Sequence, residues 1–124
     1  MISKNKAEIN FGGKNRMFYF GLGFLSMLVE ETEYEMKTLQ AKVEEKPLKM
    51  LPILMYYSSK FGALMEDQDV DFNLYKVISW FESDGGIEGD AAISFMKGFG
   101  EASNSKLPKD ESVKKKEKVR PIKS

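Results

Sequence analysis

Ala7-Glu8-Ile9-Asn10-Phe11 alternates apolar and polar side chains, the pattern of a strand with one face buried. Gly12-Gly13 follows and can supply the positive φ angles of a two-residue hairpin turn. Lys14 to Phe20 then reads as the return strand, which places a β-hairpin over residues 7–20. A lone two-stranded hairpin is marginal in water, so it must lay one face on something else. The remainder of the folded chain has helical spacing.

After Gly21-Leu22-Gly23, the residues Phe24, Leu25, Met27 and Leu28 predict a short helix reaching Glu31. Thr32-x-x-Glu35 has the form of a capping box, which would open the next helix. That helix carries Met36, Leu39 and Val43 on one stripe and ends at Lys46-Pro47, because the residue before proline avoids the helical region. Pro47 is suited to the first position of a third helix. Met50, Leu54, Tyr57 and Phe61 recur there at spacings of four, three and four, with Leu48, Leu51, Ile53, Met55 and Tyr56 between them. A helix apolar on most faces is buried centrally or covered by a partner. Pro52 predicts a kink or a late start, and Phe61-Gly62 predicts the end. Asp69 or Asp71 would cap a fourth helix with Leu74, Val77, Ile78 and Phe81 as its stripe, stopped by Asp84-Gly85-Gly86. Gly89-Asp90 begins a fifth, carrying Ala92, Phe95, Met96 and Phe99 and weakened by Gly98 and Gly100. The expected fold class is therefore mainly α: about five short helices packed together with a small N-terminal β-hairpin.

At 124 residues the chain has room for one domain, and 42% hydrophobic residues can build a core. The 19 basic and 19 acidic residues cancel, yet they are unevenly placed. Residues 1–105 hold 11 basic and 16 acidic side chains, a net −5, and residues 106–124 hold 8 and 3, a net +5. The basic end contains Pro108 and Pro121, has no aromatic residue and cannot repay the entropy of ordering by itself. The expected organisation is a helical body over 1–102 and a flexible basic tail over 103–124. A body carrying −5 repels phosphate, so no nucleic-acid partner is expected. No window resembles a membrane span, and Lys4, Lys6 and Glu8 near the start leave no secretory signal in view. A cytoplasmic location is expected.

The chain has neither cysteine nor histidine. That excludes disulfide scaffolds, thiol nucleophiles, Ser-His-Asp chemistry and the usual zinc ligands. Asp67, Asp69, Asp71 and Asn73 alternate like the start of a calcium loop, but Phe72 stands where its glycine belongs and Ile78 where its glutamate belongs. Gly21-x-Gly23 and Gly98-x-Gly100 lack the rest of any phosphate-binding fingerprint. No catalytic, cofactor or metal residue is assigned, and the chain reads as a non-enzyme. Its eight methionines suit either gap-filling in a core or an adaptable binding surface. Trp80 either closes the core edge or anchors an interface. The expected partner-binding residues are Met50, Leu51, Met55, Tyr56 and Trp80.

The order of these features resembles the tail assembly chaperones of long-tailed bacteriophages and prophages. The likeness covers roughly Ile9 to Gly100. It runs through the hairpin, Phe20-Gly21-Leu22-Gly23-Phe24-Leu25 and Glu30-Glu31-Thr32. It continues through the charged helix, the Pro47-Leu48 start, the apolar helix, Val77-Ile78-x-Trp80-Phe81 and Gly85-Gly86. Family members often carry glycine after the Glu-Glu-Thr stretch, where this chain has Glu33. The resemblance implies a non-enzymatic protein of the host cytoplasm that coats the tape-measure protein and keeps it soluble. It also implies recruitment of tail-tube subunits and release before the virion matures. Such chaperones are commonly made in two lengths by a programmed frameshift, and Lys114-Lys115-Lys116 would then mark the slippage site. Self-association is a further expectation. The alternative is a generic small helical interaction module or regulator, dimerising through the apolar third helix. Gene neighbourhood separates the two: a very long coiled-coil-rich frame immediately downstream favours the chaperone.

Overall fold

The structure is a computed structural model and describes residues 5–106. The order of elements is β1 (Lys6–Phe11), β2 (Lys14–Tyr19), α1 (Leu22–Thr32), α2 (Met36–Glu45), α3 (Pro47–Met65), α4 (Leu74–Ser83) and α5 (Asp90–Lys106). One 3₁₀ turn over Gly86–Glu88 joins the last two. The chain is thus mainly helical with an N-terminal antiparallel hairpin, as its periodicity predicts. The predicted tail boundary at residue 103 moves, because α5 continues to Lys106. The rest of the expected tail, with Lys114–Lys116, lies outside the described residues.

The hairpin pairs Ala7 with Phe18, Ile9 with Arg16 and Phe11 with Lys14. Gly12 and Gly13 take φ 67° and 90°, the two positive angles that this tight turn needs. Ile9, Phe11 and Phe18 are buried on the inner face, where Phe20, Phe24 and Phe95 join them. Phe18 and Phe20 meet the ring of Phe95 at centroid distances of 5.8 and 5.5 Å. Each such ring removed from water contributes roughly 2–3 kcal/mol, so this cluster is what fixes the hairpin to the helices.

The long helix α3 is the centre of the body and packs against β2, α1, α2 and α4. It begins at Pro47, so the late start at Pro52 and the end at Gly62 are both corrected. Pro52 lies inside it, and Gly62 continues it rather than ending it. The reason for Gly62 is tertiary: a side chain there would overlap the carbonyl oxygen of Met17 on β2. One turn earlier, the Ser58 hydroxyl donates to the Tyr19 carbonyl at 2.8 Å. Together these contacts seat α3 on the outer edge of β2.

Two predicted caps are also corrected. The Thr32 hydroxyl donates back to the Leu28 carbonyl at 2.6 Å, so it closes α1 and does not open α2. Glu33 follows with φ 62°, a left-handed residue whose N–H donates to Val29. The cap of α4 is Asn73, whose side chain accepts from the Lys76 N–H at 2.9 Å, in place of Asp69 or Asp71. Asp71 instead meets Lys14 at 3.6 Å and Arg16 at 3.4 Å.

Candidate partner-binding groove

Met50, Leu51 and Met55 are buried to within 3% of complete coverage. They are core, and their expected place on a partner face is corrected on that ground. The central stripe of α3 is covered by the chain's own elements, while Leu48, Leu64 and Met65 toward its ends are exposed. Tyr56 is half-buried and packs its ring on Tyr57 and Phe72. Trp80 is also half-buried. Its ring meets Phe11 at 5.5 Å and Phe72 at 5.8 Å, and the Arg16 guanidinium lies 4.4 Å from its centroid. Trp80 is therefore the joint between hairpin and α4, consistent with closing the core edge.

The open apolar surface lies elsewhere. The first two turns of α3 and the length of α4 leave a groove of about 750 Å³ between them. Leu48, Pro52 and Ile53 form one wall, Leu74, Ile78 and Phe81 the other, and Gly85-Gly86 the end. Leu48 is 66% exposed, far more than an aliphatic side chain in a packed core. Pro52 shapes this groove. It has no N–H to give to the Leu48 carbonyl, which lacks its helical partner as a result. Its ring also smooths the wall. Lys49 stands on one rim and Glu82 on the other, so a visitor meets one charge of each sign. Tyr75, 80% exposed, continues the apolar surface along α4.

A smaller cleft of about 380 Å³ lies between α2, α3 and α5, lined by Met36, Leu39, Val43, Leu54, Met96 and Phe99 among others. A third, of about 260 Å³, lies at the hairpin turn beside Trp80 and Asp84. Among the described residues, no group of three or more carboxylates is placed to hold a metal ion. No helix of the described residues is long and apolar enough to cross a membrane.

The shifted acids in this body sit in structural contacts. The Tyr19 hydroxyl bonds the Glu66 carboxylate at 2.5 Å, and that bond, with lesser help from burial, raises the phenol above its ordinary pKa. Burial raises Tyr57, with Glu31 adding to it. Desolvation pushes the Asp71 carboxyl up, but Lys14 and Arg16 together outweigh it and its pKa falls. None of these groups lies in the α3–α4 groove.

Sequence reasoning missed the groove because it ranked residues by stripe. Leu48, Ile53, Leu74 and Ile78 look like any other apolar helix positions. The available signal was Pro47 and Pro52 five residues apart, which together mark a helix end that cannot pack as a regular one. In comparisons with family models, curated proteins and solved structures, no match to this chain was found.

Proposed function

We propose that this chain is a non-enzymatic tail assembly chaperone of a long-tailed phage or prophage, acting in the host cytoplasm on the tape-measure protein and helping to recruit tail-tube subunits. The observation that carries the reading is the α3–α4 groove. A tape measure is a long helical protein with exposed apolar stripes. A groove between two helices, apolar along both walls and charged at both rims, accepts such a stripe by the helix-in-groove mode. The absence of histidine and cysteine from the sequence agrees with action by contact alone.

A second observation supports the family resemblance. Glu33 holds φ 62°, a left-handed conformation that favours glycine. It is the place after Glu-Glu-Thr where the family often carries glycine.

The test is co-expression with the tape-measure protein encoded downstream. The reading expects that protein in the supernatant only when this chain is present, and co-purifying with it. A tape measure that precipitates equally with and without this chain overturns the phage reading. Binding to a different helical protein would then favour the generic interaction module.

A further inference from the structure

The two edges of the hairpin are treated differently. The alternation of paired residues directs the backbone groups of Asn15, Met17 and Tyr19 out of one edge and those of Lys6, Glu8 and Asn10 out of the other. On the β2 side α3 closes the edge: Ser58 bonds the Tyr19 carbonyl, and Gly62 lies against that of Met17. On the β1 side, among the described residues, no backbone hydrogen bond reaches the outward groups of Lys6, Glu8 or Asn10. Glu8 and Asn10 are exposed. The helix α5 packs against β1 but leaves these backbone groups unpaired, and such an edge is a template for another strand.

We propose that the β1 edge is a self-association surface and that its occupant is β1 of a second copy, antiparallel across a two-fold axis through Ala7. The charge sequence selects both the occupant and the register. Only even-numbered residues present outward groups, so two antiparallel copies of β1 pair even with even. Centred on Ala7, Lys6 lies opposite Glu8 of the second copy and Glu8 opposite Lys6, giving two opposite-charge pairs, each exchanging two backbone hydrogen bonds. Centred one position later, Glu8 would face Glu8 and the like charges would repel. Lys6 and Glu8 share the outer face of the hairpin, where the Lys6 ammonium lies 5.5 Å from the Tyr19 ring centroid, a contact that pairing with Glu8 of the second copy would exchange. The result is a continuous four-stranded sheet. This surface differs from the apolar third helix, whose central residues are core, and the inference is independent of the phage reading.

The edge is short, so the association is weak and depends on concentration, below the area of stable dimers. Sedimentation velocity from about 10 μM to 1 mM tests it, a range that spans a hundredfold in Kd. Wild-type chain should pass from monomer to dimer across that range. Glu8→Lys places lysines opposite one another and should weaken the dimer about tenfold or more. The double variant Lys6→Glu/Glu8→Lys restores opposite charges and should restore the dimer. Both positions are on the outer face, and a melting curve like the wild type's verifies that each variant is folded. Amide exchange gives a second readout: Lys6 and Glu8 should gain protection at high concentration. A wild-type chain monomeric at about 1 mM, or a dimer indifferent to Glu8→Lys, overturns the proposal. So does a double variant that stays monomeric, or exchange at β1 independent of concentration.

Discussion

Replacing Gly62 with alanine sets two local effects against each other. In an exposed helix the change gains about 1 kcal/mol, because alanine is the better helix former. Here the new methyl would overlap the Met17 carbonyl oxygen, which is backbone and cannot rotate away. The helix α3 must retreat from β2. Overpacking of a rigid contact costs about 1–3 kcal/mol. The retreat also stretches the 2.8 Å bond from Ser58 to Tyr19. Leaving that buried carbonyl unsatisfied costs about 1–3 kcal/mol more. The net is a loss of roughly 1–5 kcal/mol, a drop in Tm of at least about 4 °C for a domain of this size. Gly100→Ala is the control. It too lies in a helix, but nothing stands within 4 Å of its added methyl. It should therefore raise Tm by a few degrees, the effect of about 1 kcal/mol of helix propensity. Circular dichroism at the helical minimum, followed with temperature for both variants, is the assay. A Gly62→Ala chain as stable as wild type would refute the argument that α3 touches the β2 backbone at this point.

Three further outcomes are expected. Glu33→Gly should stabilise the chain by about 0.5–1 kcal/mol in urea melts, because it relieves a left-handed residue with φ 62°. Asn73→Ala removes the side chain that accepts from Lys76 and should cost about 1 kcal/mol in the same assay. The Asp71 carboxyl is held below its ordinary 3.8, so its contribution is fully present above that pH and is lost as pH falls through the lower folded value. Wild type and Asp71→Asn should therefore differ in melting at pH 7, and the gap should close at the acid end.

The hairpin and five helices were legible because local signals and tertiary demands agree there. Gly12-Gly13 can form only a tight turn, and the Leu74–Phe81 stripe has one face to bury. Disagreement arose where a residue serves a distant neighbour. Gly62 looks like a terminator along the chain, but it is a clearance for β2, which is far away in sequence. Thr32 donates its hydroxyl back to Leu28 and accepts from the Tyr34 N–H, so it closes α1 and reaches no N–H of α2, which starts at Met36. Asn73 outcompetes Asp69 and Asp71 because Asp71 is drawn to Lys14 and Arg16 of the hairpin. The α3–α4 groove was the least legible part. Met50, Leu51 and Met55 carry the strongest apolar pattern, and for that reason the core takes them. What stays open is the flank between the start of α3 and α4, lined by Pro52 and the Gly85-Gly86 turn.

On the proposed function, the α3–α4 groove receives an apolar helix. Titration of isotope-labelled chain with a peptide carrying one apolar stripe of the tape measure, followed by methyl NMR, tests it directly. Shifts are expected at Leu48, Ile53, Leu74 and Ile78, abolished in a folded Ile78→Lys chain. Unmoved groove methyls, or shifts gathered instead at Met36, Val43 and Met96 between α2 and α5, would contradict it.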